Sequence, residues 1–153
     1  FLDSKMAPIW VSFKNLDEFA ADTPCIIKCG DDLRKDTLIL QFFRMMNKVC
    51  MEVGLDLNMS VYECLPFGPD SGFIEVVQDA RTVASIQKEY HSKLGALSKL
   101  PLANWLRSRN TDEKCYDMAV QNFVTSCSAY SVATYVLGVG DRHNDNIMVT
   151  SSG

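Results

Sequence analysis

Several common signatures are missing from this sequence of 153 residues. It has no run of about eighteen apolar residues, so the sequence predicts no membrane-spanning helix. Its N-terminus lacks the basic-then-apolar order of a secretory signal, and we find no internal repeat or low-complexity segment. The hydrophobic content of 47% argues against disorder and predicts a soluble globular piece with a sizeable core.

The sequence also lacks the cysteine patterns of zinc sites and disulfide frameworks. Its six cysteines stand in apolar segments without a Cys-x-x-Cys pair and without a histidine nearby. We therefore expect buried free thiols in a reducing compartment. The formal net charge of −4 argues against a binder of duplex nucleic acid, because contacts with phosphates need a basic face.

The first half of the chain contains β-prone runs and one helical pattern. The runs at residues 9–13 and 25–29 predict a hairpin or two adjacent strands of a sheet. Residues 32–53 predict an amphipathic helix with a wide buried face, because apolar residues recur there in two rows at helical spacing. One row is Leu38, Phe42, Met45 and Val49, and the adjoining row is Ile39, Phe43, Met46 and Cys50.

Strand signals continue as far as residue 77, after which the pattern becomes helical. Strands are predicted at residues 59–64 and 72–77, on either side of a turn rich in proline and glycine. Helices are predicted at residues 82–90, 101–107 and 111–137, the last capped by the hydroxyl of Thr111. One face of this last helix holds Tyr116, Val120, Phe123, Cys127 and Tyr130. These patterns predict an α+β fold, with a cleft between two units that divide near residues 77–80.

The densest polar cluster is the heptapeptide of residues 140–146, Gly-Asp-Arg-His-Asn-Asp-Asn. The apolar stretch 132–138 before it predicts the end of a core-buried helix, and residues 147–150 predict a short strand after it. Asp141 and His143 are candidate proton acceptors. Asn146 is a candidate ligand of Mg²⁺, which prefers oxygen ligands and is often shared with phosphates. The alternative is a polar turn in which Asp and Asn only cap backbone groups.

Lys28 ends an otherwise apolar β-prone run, which makes it a candidate point charge for a nucleotide phosphate. Its candidate partner is Asp36, in the first turns of the following helix. The alternative, in which Lys28 extends from the end of the strand into solvent, is equally open. Either Asp31 or Asp32 is expected to cap the helix, which favours Asp36 as the functional acid.

Other candidate nucleotide contacts carry less information by themselves. Ser4 and Lys5 are a candidate phosphate-covering turn, although the chain contains neither Gly-x-Gly-x-x-Gly nor Gly-x-x-x-x-Gly-Lys-[Ser/Thr]. An adenine slot would have apolar walls, with backbone groups of residues 75–77 facing the edge of the base, but each wall residue is equally explained as core. The wall candidates are Trp10, Ile26, Ile74, Val76, Val77 and Met148.

Two motifs resemble those of phosphoinositide 3-kinases. Residues 26–36, Ile-Ile-Lys-Cys-Gly-Asp-Asp-Leu-Arg-Lys-Asp, are similar to the family element Ile-[Ile/Phe]-Lys-x-Gly-Asp-Asp-Leu-Arg-Gln-Asp. Residues 140–148 resemble its catalytic loop, Gly-Asp-Arg-His-x-Asp-Asn-Ile-Met, and the class I catalytic subunits are the most similar. The resemblance implies a protein-kinase-like two-lobed fold. Residues 1–77 would form a small antiparallel-sheet N-lobe with the hinge, and residues 78–153 the helical start of a truncated C-lobe.

The resemblance also implies an activity, the transfer of the γ-phosphate of ATP to the 3-hydroxyl of phosphatidylinositol or its phosphates. His143 would be the leading proton-handling group and Asp141 the second, in an order that reverses the His-Arg-Asp of protein kinases. Asn146 would bind Mg²⁺, and Lys28 would bind ATP phosphate. The other implied nucleotide contacts are Ser4 and Lys5 in the phosphate-covering loop, Asp36 and Tyr62 in the inner pocket, Glu75 and Val77 in the hinge, and Trp10, Ile74 and Met148 against the ring faces.

The chain departs from the family pattern in two places. Lys35 replaces the usual glutamine and adds positive charge beside the pocket. The Asp-Phe-Gly segment of the family would lie beyond Gly153, so we expect the chain to be a fragment that is inactive alone. The alternatives are a protein kinase of the same superfamily, a phosphoinositide 4-kinase, or a pseudokinase module that only binds partners.

The resemblance implies partners and a location as well. A phosphoinositide at a membrane surface would be the substrate, so the protein would be cytoplasmic and peripherally recruited to membranes. A regulatory or adaptor subunit would bind through regions outside this sequence.

Overall fold

A computed structural model describes residues 8–94 and 100–153. The described residues form two compact units. Unit 1 contains the described residues as far as Leu55 together with Ser60–Val77, and unit 2 contains Asp56–Met59 with the described part of Gln78–Gly153. The larger division therefore lies between Val77 and Gln78.

Unit 1 is built on a four-stranded antiparallel sheet. Its strands are β1 (Ile9–Phe13), β2 (Thr23–Cys29), β3 (Cys64–Gly68) and β4 (Ser71–Glu75), in the order β1-β2-β4-β3. β1 pairs directly with β2, which confirms the predicted hairpin. Together with the helices described below, this sheet confirms the predicted α+β class.

The strand predicted at residues 59–64 is wrong in position. Strand β3 begins where that prediction ends, at Cys64, and it includes Pro66. Proline lacks an N–H group for the sheet and is therefore tolerated on an edge strand or at a bulge. Both conditions hold here, since β3 is at the edge of the sheet and its pairing shifts between Pro66 and Gly68.

Helix α1 (Arg34–Glu52) is present as predicted, but the face that it buries is different. Leu40 and Phe43 are buried, whereas the predicted row Leu38, Phe42, Met45 and Val49 is exposed. The helix contacts β3, and polar groups take part in this contact. Thr37 Oγ1, for example, donates hydrogen bonds to Cys64 O at 3.2 Å and to Leu33 O at 2.9 Å. The buried face is therefore narrower than predicted: of the two predicted rows, the one with Phe43 is the less exposed, since its other members Ile39, Met46 and Cys50 are half-buried.

Unit 2 consists of three helices and a two-stranded antiparallel ribbon. Its elements are β5 (Ala80–Thr82), α2 (Val83–Leu94), α3 (Pro101–Arg109), α4 (Glu113–Leu137) and β6 (Met148–Thr150), with β5 paired to β6. The predicted helices and final strand are confirmed, and β5 was not predicted. The core of the unit is formed by Ile86, Trp105, Leu106, Ala119 and Val149.

Helix α4 differs from its prediction at both ends. Its N-terminal cap is the carboxylate of Asp112, which accepts the N–H groups of Lys114 at 3.0 Å and Cys115 at 3.2 Å. The predicted cap by the Thr111 hydroxyl is therefore wrong. Near the C-terminus only Ala133 is buried, so the stretch 132–138 is not core-buried as predicted. The helix ends at Gly138, whose left-handed φ of 65° suits glycine.

All six cysteines are free, but the expectation of buried thiols is only partly correct. Cys64 is buried, Cys25 and Cys50 are half-buried, and Cys29, Cys115 and Cys127 are exposed. Among the described residues, no helix is both long enough and apolar enough to cross a membrane.

Candidate functional site

One face of the unit 1 sheet brings together four of the predicted nucleotide contacts. Ile26 is paired with Trp10 on one side and with Ile74 on the other. Side chains of directly paired residues lie on the same face, and Lys28 shares that face because it is two residues from Ile26. The result is an apolar platform of three side chains with an ammonium group beside it.

Gly72 lets helix α1 approach the sheet on this same face. It is paired with Lys28 on β2. A Cβ atom at Gly72 would lie 2.7 Å from Leu33 Cδ1 and 2.7 Å from Leu65 O, closer than van der Waals contact allows. The start of α1 thus packs against the sheet on the face that carries Lys28.

The partner of Lys28 is Asp31, so the predicted pairing with Asp36 is wrong in this structure. Lys28 Nζ donates to Asp31 Oδ2, and this hydrogen bond and charge lower the pKa of the Asp31 carboxyl. Asp31 lies in the loop directly after β2 and is nearer along the chain, whereas Asp36 is exposed on α1. Asp36 and Lys28 nevertheless both act electrostatically on the thiol of Cys64, whose pKa is raised mainly by burial. Asp36 therefore lies within electrostatic range of the same region.

Asp32 forms the second ion pair of this loop. Its carboxylate accepts hydrogen bonds from Arg34 Nε at 2.8 Å, Arg34 Nη2 at 2.7 Å and the Arg34 backbone N–H at 3.1 Å. The cap position itself is occupied by Leu33, without a side-chain hydrogen bond, so neither predicted aspartate is the N-cap. Asp32 nevertheless accepts a hydrogen bond from the N–H of Arg34, the first residue of the helix. The bonds from Arg34 lower the pKa of Asp32 to about 2.

We predict a pH-dependent effect of Asp32→Asn on stability. The folded-state pKa is below the ordinary value of 3.8, so the charged carboxylate stabilises the fold above about pH 4. This contribution is lost as the pH falls towards 2. In urea unfolding of this chain, Asp32→Asn should be slightly less stable than wild type at neutral pH, and the difference should shrink between pH 4 and pH 2. The exposed Asp22→Asn is the control, and a difference that is constant with pH would contradict the ion pair.

The predicted hinge residues differ in which backbone groups are available. The N–H of Glu75 donates to Glu63 O at 2.9 Å, and that of Val76 donates to Pro24 O at 3.1 Å. In the described part of the chain, Val77 N–H takes no part in such a backbone bond. Of the three N–H groups, that of Val77 is therefore the one open to a ligand.

A brace that sequence reasoning missed holds the segment beside this hinge. Arg44 Nη2 donates to Tyr62 O at 2.9 Å and lies 2.8 Å from Glu63 Oε1. The backbone N–H of Glu63 in turn donates to Glu75 Oε2 at 2.7 Å. The signal in the sequence was a charged residue, Arg44, at helical spacing from Leu33, Thr37 and Leu40. This brace fixes the backbone of Tyr62, whose side chain is 36% exposed.

The polar loop of unit 2 is closed by the side chain of Asn146. Its Nδ2 donates to Asp141 O at 2.6 Å, and its Oδ1 accepts the N–H of His143 at 3.0 Å. His143 O also accepts N–H groups from Asn146 at 3.0 Å and Ile147 at 3.1 Å. These bonds hold Asp141 in a left-handed conformation with φ of 55°, which aspartate tolerates better than most residues. Asn146 therefore connects the two predicted proton-handling residues.

His143 lies between two carboxylates. Its Nε2 is 4.0 Å from Asp141 Oδ1, and its Nδ1 is 3.5 Å from Asp145 Oδ2. The N–H of Asp145 also donates to His143 Nδ1 at 3.3 Å. All three side chains are exposed, so the imidazole between these carboxylates is accessible from solvent. Asp145 was not given a role from the sequence, although its place two residues after the histidine was the available signal.

Helix α2 holds the same loop from outside. Val83 N–H donates to Ile147 O at 3.0 Å, and Ala84 N–H donates to Asn144 O at 2.8 Å. Asn144 Nδ2 donates to Gln87 Oε1 at 3.0 Å. Sequence reasoning missed Gln87. Nothing in the sequence around Gln87 distinguishes it from other surface glutamines.

The family of the chain follows from a comparison of sequences. The sequence profile described as phosphatidylinositol 3- and 4-kinase matches residues 22–153, which include both motifs. The chain belongs to this kinase family. The fold of the family agrees with the antiparallel sheet and helical start seen here, so the kinase-like α+β fold is confirmed.

Individual relatives support the same family. The chain is 49% identical over 152 residues to phosphatidylinositol 3-kinase 3 of Dictyostelium discoideum, covering 99% of this chain and 9% of the relative. It is 48% identical to phosphatidylinositol 3-kinase 1 of the same organism, covering 100% of this chain and 10% of that protein. It is 43% identical to the human phosphatidylinositol 4-phosphate 3-kinase C2 domain-containing subunit beta, with 100% and 9% coverage. The chain thus spans about a tenth of the length of these relatives. Because a C2-domain-containing kinase matches nearly as well, the narrower likeness to class I subunits stays a prediction.

Membership of this kinase family implies a divalent metal ion. The loop contains one residue that fits the role of a ligand to such an ion. Asn146 Oδ1 accepts one hydrogen bond and has a second lone pair free for a cation. Among the described residues there is no cluster of three or more His, Cys, Asp or Glu side chains that would bind a metal. A single amide oxygen suits Mg²⁺, which keeps several waters and binds through few protein ligands plus substrate phosphates.

Three predicted site residues are still to be described. Met148 begins β6, is 52% exposed and is paired with Thr82. Ser4 and Lys5 lie outside the described residues, and their part in a phosphate-covering loop stays a prediction.

Proposed function

We propose that the complete protein transfers the γ-phosphoryl group of ATP to the 3-hydroxyl of phosphatidylinositol or its phosphates. The observation that carries this proposal is the loop in which Asn146 connects Asp141 to His143, in a chain whose family acts on phosphatidylinositol. The names of the relatives, which include three-position kinases, support the choice of hydroxyl.

In this proposal unit 1 binds the nucleotide. Lys28 contacts a phosphate while keeping Asp31, because an ammonium group has three donors. Adenine lies against the platform of Trp10, Ile26 and Ile74, and the open N–H of Val77 donates to the edge of the base. The further contacts are Ser4, Lys5, Asp36, Tyr62, the carbonyl of Glu75, Val76 and Met148.

The loop of unit 2 supplies the chemistry of the transfer. His143 accepts the proton of the attacking hydroxyl or stabilises the transferring group, and Asp141 orients its Nε2 edge or takes the proton instead. Asn146 holds Mg²⁺, which neutralises charge on the phosphates when bound. Positioning and charge stabilisation are the main contributions a protein makes to such a reaction.

The substrate determines the setting that we propose for the protein. A phosphoinositide lies in a membrane, so a cytoplasmic protein must be recruited peripherally to reach it. We propose that an adaptor or regulatory subunit assists this recruitment through regions outside the present sequence.

The test is to identify the product of the complete protein. We expect vesicles containing phosphatidylinositol and labelled Mg-ATP to give a lipid phosphorylated at the 3-position, as read by headgroup chromatography. Label at the 4-position, or on protein substrates only, would replace this proposal with the corresponding kinase activity. An absence of both transfer and Mg-ATP binding would instead favour a non-catalytic binding module.

A matched pair of variants tests the nucleotide site in the same assay. Lys28→Met should weaken ATP binding by about tenfold to hundredfold, the usual range for a lost charged hydrogen bond. Lys14→Met, which changes an exposed lysine just after β1, should bind ATP like the wild type. Equal ATP affinities for the two variants would show that Lys28 does not bind ATP.

A further inference from the structure

The loop that carries His143 is attached to helix α2 by its first turn. The N–H groups of Val83 and Ala84 are at the N-terminus of the helix, where no partner within the helix is available. They donate instead to Ile147 O and Asn144 O. Residues three or four apart lie on the same helical face, so Gln87 is directly below these donors. The first turns of α2 therefore offer the loop two donors and one acceptor.

The bond from Asn144 to Gln87 differs from the two backbone bonds in what it constrains. The backbone bonds fix carbonyl groups, whereas Gln87 Oε1 holds the side chain of Asn144 at 3.0 Å. Asn144 directly follows His143, whose own carbonyl is held from the other side by Asn146 and Ile147. The backbone around the imidazole is thus constrained by both sets of bonds, and Gln87 adds a side-chain contact from α2.

We propose that Gln87 is a positioning residue for phosphoryl transfer, acting through Asn144 on His143. The inference rests on the proposed function. Gln87 is half-buried and follows Ile86, which is completely buried in the core of unit 2. Its backbone is therefore fixed by packing, and its amide is a stable point of attachment. A small displacement of a catalytic group is enough to slow a reaction that depends on positioning.

The first test compares three variants of the complete protein in the lipid kinase assay. Gln87→Met keeps the length of the side chain but has no acceptor oxygen, and it should lower kcat about three- to tenfold with little change in KM for ATP. Gln87→Glu should restore kcat, because its carboxylate also accepts from Asn144. Gln121→Met, an exposed glutamine of α4, is the matched control and should behave like wild type. Equal losses in Gln87→Met and Gln87→Glu would show a packing role and overturn the proposal.

The second test does not depend on activity. Hydrogen exchange of residues 140–147, followed by mass spectrometry of the complete protein, should be faster in Gln87→Met than in the other two variants and the wild type. Equal exchange in all four proteins would overturn the positioning role even if the wild type is fully active. A wild type without lipid kinase activity would overturn the proposed function, while the exchange rates would still decide whether Gln87 positions the loop.

Discussion

Replacing His143 with alanine is expected to lower kcat of the complete protein by about 10²- to 10⁴-fold, the usual range for a lost general acid or base. His143 Nε2 lies 4.0 Å from Asp141 Oδ1 and its Nδ1 lies 3.5 Å from Asp145 Oδ2, so the imidazole is flanked by two carboxylates. The nucleotide contacts that we propose in unit 1 are unchanged by the substitution. KM for ATP should therefore stay within about twofold of the wild-type value.

The control for this experiment is Tyr135→Ala, which removes a larger side chain that is 88% exposed on α4. Its turnover should equal that of the wild type. The parallel variant Asp141→Asn separates the two candidate proton acceptors. If His143→Ala remains active while Asp141→Asn is inactive, the proton is transferred to Asp141, and our assignment of the leading role to His143 is wrong.

The second large effect concerns stability, because Trp105 is the largest side chain in the core of unit 2. It is 2% exposed and packs in the cluster with Ile86, Ala119 and Val149. Trp105→Ala should lower the free energy of unfolding by about 3–5 kcal/mol, as measured by urea denaturation of this chain. Val149 is the middle residue of β6, so the loss should also loosen the strand that follows the catalytic loop.

A second substitution at this position separates packing from polarity. Trp105 Nε1 has no hydrogen-bond partner among the described residues. Trp105→Phe leaves no such unsatisfied donor and retains most of the apolar volume, so it should be much less destabilising than alanine. Val132→Ala, at a position 61% exposed, should change stability by less than about 0.5 kcal/mol. A similar loss in all three variants would contradict the assignment of Trp105 to a packed core.

The elements that sequence reasoning predicted correctly are those with strong local signals. β1, β2, α1 and α4 have clear periodicity, and the loop after α4 has an unusual density of polar residues. β3 was misplaced because Pro66 normally argues against a strand, and only the edge position of β3 makes it acceptable. The predicted buried face of α1 was too wide, because the row that begins at Leu38 is exposed. The hydroxyl of Thr37, which contacts β3, is not detected by an apolar pattern.

The site was predictable to the extent that its residues lie on paired strands or in one loop. Trp10, Ile26 and Ile74 come together because strand pairing places them side by side, and Asp141, His143 and Asn146 belong to one loop. The contacts that depend on tertiary structure were not predictable. Three acids follow Lys28 within eight residues, and the sequence favoured Asp36, whereas the structure pairs Lys28 with Asp31. Gln87 and Glu63 likewise become informative only when their distant partners are known.

The double hydrogen bonding of Asn146 explains why an amide occupies a position that we assign to a metal ligand. A carboxylate would bind Mg²⁺ more strongly, since it carries a charge. It has no donor for the carbonyl of Asp141, however, and would repel that oxygen instead of holding it. A serine is too short to reach both Asp141 O and the N–H of His143. In our proposal the loop therefore combines a weaker metal ligand with a fixed backbone. Asn146→Asp would be expected to improve metal affinity while disordering the residues that we propose for the chemistry.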